Sequence, residues 1–178
     1  GRYTRELARI LSATIDLAII VNPLQSGIER DLWSLPARRV SVPHNPRSIA
    51  QQWVLPQRLR GLNATVYHSP FYLMPYFPGV PSVVTVYDLI PLHPSSGTPP
   101  AQQSAYGLAH RLAFMTARKI VTLSDAARQE FITRFKLRED VITTVAPGLM
   151  PRFAPADAET LRSVRQRLNL PSQYLLSV

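Results

Sequence analysis

Three apolar runs rich in β-branched residues stop at side chains that can do chemistry. "ATVY" ends at His68, "SVVTV" at Tyr87 and Asp88, and "IVTL" at Ser124. An imidazole, a carboxylate and two hydroxyls at strand ends can exchange hydrogen bonds with a ligand rich in hydroxyl groups. A phenol with an ordinary pKa of about 10 is a poor base at neutral pH, so Tyr87 suits contact with a substrate better than proton abstraction. Each position also has a purely structural explanation. Asp88 can bond the backbone of the proline loop "LIPLHP" that follows it, and Ser124 can cap a helix. His68 can bond a neighbouring loop, and Tyr87 can pack as an aromatic strand end.

The elements that must position these residues can be read from period and punctuation. Tyr3, Leu7, Ile10 and Leu11 recur at helical spacing, which predicts an amphipathic helix over Arg2–Leu11. "IDLAIIVN" and "RRVSVP" are short strands ended by Pro23 and Pro43. "PRSIAQQWVLPQRLRGL" has a helical pattern that Pro56 is expected to bend or divide. After the strands "ATVYHSP" and "SVVTVYD" come the helix "PAQQSAYGLAHRLAFMTARK", the strand "IVTL", the Ser124-capped helix "DAARQEFITRF" and "VITTVAPG". Asp125 is well placed for the positive end of that helix's dipole. Strands alternating with helices at these lengths imply βαβ units, so the expected fold class is α/β with a mostly parallel sheet covered by helices on both faces. Ligands of such sheets bind beyond the carboxyl ends of the strands, where His68, Tyr87, Asp88 and Ser124 are expected to gather on one edge. Beyond Gly148, which suits a sharp turn, "LMPRFAPADAE" is expected to be a linker. A helix over about Asp157–Leu168 and the start of a strand in "SQYLLSV" follow.

Composition narrows the function. The chain has 178 residues, 46% of them hydrophobic, and carries a formal charge of +9, which suits an anionic partner. Its arginines are scattered, without zinc ligands, a heptad-linked basic region or interleaved aromatic RNA signatures, so nucleic acid is not the expected partner. There is no cysteine, and the four histidines lie far apart, so neither a disulfide framework nor a metal site is expected. No apolar run is long enough to cross a bilayer and no signal sequence opens the chain, which makes a cytoplasmic location the default expectation.

"VYHSPFYLMPYFPGVPSVVTVYDLIPLHP", followed by "ARKIVTLSDAARQEF" and by "APGLMPRFAP", resembles the group 1 glycosyltransferases, retaining enzymes of the GT-B fold. The likeness runs in order along almost the whole chain. It implies an N-terminal, Rossmann-like acceptor-binding domain over residues 1–148, lacking its first strand and glycine-rich turn. Residues 149–178 would be the linker, helix and first strand of a donor-binding domain. Gly1 would be the remnant of the missing turn, and Gly1 and Arg2 would sit near donor phosphates, where a helix N-terminus favours anions. Tyr87 and Asp88 stand where many relatives have His-Asp close to the transferred sugar, and the loop after His68 would lie beside the acceptor.

The function implied is transfer of a sugar from a nucleotide-sugar donor to a glycan or lipid-linked acceptor, with no cofactor and no metal. Contact with the membrane would be peripheral, at its inner face, with the arginine-flanked helix at Arg2–Leu11 as the candidate surface. The paired donor glutamates of the family are not in this sequence, so the chain by itself is expected to be inactive. The alternative is a non-catalytic basic α/β module that binds nucleic acid or an anionic membrane surface.

Overall fold

The computed structural model describes residues 2–23, 34–148 and 154–175. In chain order the elements are α1 (Arg2–Ser12), β1 (Ala18–Val21), β2 (Arg38–Ser41), α2 (Gln51–Gly61), β3 (Tyr67–Ser69) and β4 (Ser82–Val86). After two short 3₁₀ turns at Ile90–Leu92 and Pro94–Ser96 come α3 (Pro100–Thr116), β5 (Lys119–Thr122) and α4 (Asp125–Phe135). β6 (Ile142–Thr144) and α5 (Ala158–Leu168) complete the order. The chain divides into two compact units, Gly1–Pro147 and Gly148–Val178.

All strand pairs in the first unit are parallel, and the class is α/β with helices flanking the sheets. The expected single sheet is in fact two. β1 and β2 form one pair, and β3, β4, β5 and β6 form a four-stranded sheet in sequence order. Among the described residues no strand pairs with both β1 and β3, so the hydrogen-bond ladder is interrupted there.

The four-stranded sheet carries the core. Val84 and Val86 of β4, Ile120 of β5 and Ile142 of β6 pack with Phe114 of α3 and Phe131 of α4, all of them buried. Burial on both faces explains why residues 83–86 and 120–122 are unbroken β-branched runs, with Thr85 and Thr122 the only hydroxyls in them. Pro56 does not divide its helix. α2 runs through it, because Pro56 is buried beside Leu55 and Leu59 and this packing offsets the one intrahelical hydrogen bond that a proline cannot donate.

In the second unit Asp157 caps α5 by accepting from the Thr160 backbone N–H at 2.7 Å, and Asn169 closes the helix in the left-handed region. Residues 172–175 are not a strand. Tyr174 and Leu175 are exposed there, and the remainder of that expected strand lies outside the described residues. Gly148 does not occupy the left-handed backbone region, unlike Gly79 and Gly97, so its turn requires no glycine.

Candidate active site

The parallel registers put the ends of β4 and β5 at one level. Val86 pairs with Thr122, so the residues that follow, Tyr87 and Asp88 on one strand and Leu123 and Ser124 on the other, leave the sheet on the same rim. β3 stops lower. His68 pairs with Val83, and its ring reaches across the sheet instead, with Nε2 2.8 Å from the Thr85 hydroxyl. Burial pushes the His68 pKa below its usual value, so the ring is neutral at physiological pH.

Tyr87 is the meeting point of the rim. The first turn of α1 lies against it. The Tyr3 ring approaches edge to face with centroids 6.1 Å apart, and the Thr4 hydroxyl is hydrogen-bonded to the phenol. Burial raises the phenol's pKa. Tyr87 therefore stays protonated, able to donate or accept a hydrogen bond but not to serve as a base. The positive end of α1 faces the same rim, and Arg2 opens that helix. Gly1 lies outside the described residues.

Asp88 is held by its loop. Its Oδ1 accepts from the Ile90 N–H at 3.1 Å, and its carbonyl accepts from the Tyr106 hydroxyl at 2.9 Å. The turn bond fits an aspartate that shapes the entry to the proline segment. Ser124 caps α4, its hydroxyl accepting from the Ala127 N–H at 3.2 Å. The neighbouring Asp125 accepts from the Thr144 hydroxyl at 2.6 Å, which ties the start of α4 to β6.

Tyr87, Asp88, Ser124 and the start of α1 thus share one rim, while His68 is linked to it only through Thr85 on β4. Among the described residues no group of three or more histidines, aspartates or glutamates could hold a metal ion. Sequence reasoning missed Tyr3 and Thr4 as partners of Tyr87. Tyr3 had been placed in the packing stripe of α1, and a threonine in a first helical turn carries no signal of its own. Tyr106 was also missed, although a tyrosine inside an amphipathic helix needs a partner for its hydroxyl when buried.

Residues 1–152 match the family described as Glycosyltransferase Family 4. The fold is similar to that of a glycosyltransferase from Rickettsia africae, at 17% identity and a TM-score of 0.63, over 96% of this chain and 46% of that one. It is also similar to HepE of Anabaena, solved in complex with UDP and glucose, at 14% identity and a TM-score of 0.60, over 94% of this chain and 47% of that one. The chain thus spans about half the length of these structures. No curated protein matches it.

Proposed function

We propose a function from membership: the chain belongs to Glycosyltransferase Family 4, and it serves as the acceptor-binding half of a retaining enzyme. A sugar passes from a nucleotide-sugar donor to a glycan or lipid-linked acceptor, with no cofactor and no metal. The enzyme acts on the cytoplasmic side and touches the membrane only peripherally. The observation that carries this reading is the convergence of Tyr87, Ser124 and the positive end of α1 on one rim of a parallel sheet. That HepE was solved with UDP and glucose supports a nucleotide sugar as the donor.

The rim works by placement. The protonated Tyr87 can hydrogen-bond a sugar hydroxyl or phosphate oxygen without taking a proton, while the α1 terminus favours negative charge where the diphosphate departs. Holding the acceptor hydroxyl near the donor carbon removes much of the entropy cost of a bimolecular step. Asp88 shapes the loop that walls the rim.

The test is transfer by the full-length enzyme from a panel of nucleotide sugars, together with Tyr87→Ala and Thr4→Val variants. Transfer per folded molecule that falls in both variants, measured at a temperature well below the melting point of each, supports the reading. Absence of transfer from every nucleotide sugar, or full activity in Tyr87→Ala, overturns it.

A further inference from the structure

Between Leu32 and Tyr87 the chain has no aspartate or glutamate, yet it carries Arg38, Arg39, Arg47, Arg58 and Arg60. Within this stretch lies α2, a helix with apolar side chains on its outer side as well as its inner one. Its inner side buries Leu55 and Leu59 in the usual way. The outer stripe begins in the turn that leads into the helix and runs through Ile49, Trp53, Gln57 and Arg60, all exposed and spaced for one helical face. Ile49 is 74% and Trp53 61% exposed, so two of the largest apolar side chains of the segment stand in solvent.

Phe77 joins them, at 86% exposed. The loop that carries it is clamped from two sides. The Gln52 amide donates to the Met74 carbonyl at 3.1 Å and accepts from the Tyr76 N–H at 2.8 Å, and the Thr116 hydroxyl donates to the Tyr76 carbonyl at 3.0 Å. The backbone next to Phe77 is thus tied to α2 through Gln52, and its ring adds to the apolar surface that Ile49 and Trp53 expose on this part of the chain.

We propose that the outer face of α2, together with Phe77 on the loop that Gln52 holds, is where the protein rests on an anionic lipid surface. Charge complementarity selects this occupant. Arg47, Arg58 and Arg60 are exposed on a segment that has no carboxylate of its own, so the exposed Ile49 and Trp53 lie between cations along the chain. Tryptophan and phenylalanine settle at the headgroup boundary, while arginines keep their charge among anionic headgroups. The other basic helices fit this role less well: in α1 Tyr3 and Thr4 are engaged with Tyr87 and Arg9 is paired with Glu6 at 3.0 Å, and α5, whose Arg165 donates to the Ser172 carbonyl at 3.3 Å, has no aromatic residue. The inference names the surface for the peripheral contact proposed above and rests on that reading for the presence of a membrane.

The probe is vesicle co-sedimentation of the full-length protein on phosphatidylglycerol-containing and pure phosphatidylcholine vesicles. Trp33 and Trp53 are the only tryptophans, so a Trp33→Phe variant leaves Trp53 as the reporter. Binding to the anionic vesicles alone, weakened by salt, with a blue shift of Trp53 emission, is the expected result. Each Arg→Gln change at 47, 58 or 60 should weaken binding about fivefold, and Trp53→Ala with Phe77→Ala should abolish the emission response and most of the binding. The proposal is overturned by equal binding to both vesicle types, by no binding at low salt, or by substitutions on this face that leave binding intact. It is also overturned if those substitutions split a dimer without affecting vesicles, which would assign the face to a second copy. Transfer to a water-soluble acceptor is scored separately: its loss counts against the proposed function, and loss of vesicle binding alone counts only against this surface.

Discussion

Tyr3, in the first turn of α1, meets Tyr87, just past the end of β4, edge to face with ring planes at 84°. The contact joins two residues far apart in sequence and fixes where the positive end of α1 points relative to the strand ends. An edge-to-face aromatic pair contributes roughly 0.5–1.5 kcal/mol beyond the area it buries, which is enough to hold a first helical turn that would otherwise fray.

Tyr87→Phe keeps that ring contact and loses only the hydrogen bond with Thr4. Its stability should fall by about 1 kcal/mol, read as a small drop in Tm. Transfer should fall by no more than about tenfold, the value of one lost neutral hydrogen bond to a substrate. Because burial raises the phenol's pKa, the parent and Tyr87→Phe should share the same pH–rate profile between pH 6 and 9. A profile that changes shape on loss of the phenol would show it acting as a base after all.

His110 predicts an acid limit to stability. It is fully buried on α3 among Tyr72, Tyr106, Phe114, Phe131 and Phe135, and its Nδ1–H donates to the Tyr106 carbonyl at 3.0 Å. Burial lowers its pKa from 6.5 to about 4, against a weaker opposing pull from the Tyr106 carbonyl and Asp88. The folded protein therefore binds the proton less tightly than the unfolded chain does. The stabilisation it gives is present above pH 6.5 and is lost as pH falls towards 4, a change of about 3 kcal/mol. Urea unfolding at pH 7 and pH 4.5 should show this loss in the parent, and His110→Phe should remove most of the difference between the two pH values. An unchanged difference in that variant would place the acid sensitivity elsewhere.

Ser124→Ala should cost about 1 kcal/mol, because the Ala127 N–H loses its capping acceptor, and Ser124→Asp should restore it. The pair separates two roles for the residue. If Ser124 only caps α4, Ser124→Asp regains both stability and KM. If it also touches the acceptor, stability returns and KM does not.

How much was legible in the sequence depended on range. Helix α1 stood out because its apolar residues recur at helical spacing, α4 because Ser124 precedes it as a cap, and β4 and β5 because a strand buried on both faces is a β-branched run. Local chemistry was equally readable: Ser124 before "DAARQEF" and Asp88 before a proline loop each form the short-range bond that their side chains favour. Whether Pro56 divides its helix was not legible, because that depends on whether burial offsets the lost hydrogen bond, and burial is a tertiary quantity. The division into two sheets was not legible for the same reason, since strand partners are chosen across distance. Thr4 beside Tyr87, and Thr85 beside His68, are likewise long-range pairings of hydroxyls with no pattern around them.

The pairing of His68 with Thr85 yields the last prediction. Nε2 lies 2.8 Å from the hydroxyl across neighbouring strands, and Thr85 is fully buried. Removing either partner leaves the other polar group poorly satisfied. Thr85→Val should therefore cost roughly 1–3 kcal/mol, with His68→Phe in the same range. In the double variant both polar groups are gone, so its loss should be smaller than the sum of the single losses, with a coupling of about 1 kcal/mol. Additive losses would mean that the two side chains do not share a hydrogen bond. The same variants report on function. A His68 that only braces the sheet leaves KM for the acceptor unchanged in His68→Gln, whose amide can still reach Thr85. A raised KM in that variant at unchanged Tm would bring His68 to the acceptor, and its lowered pKa would then require that it binds as the neutral ring.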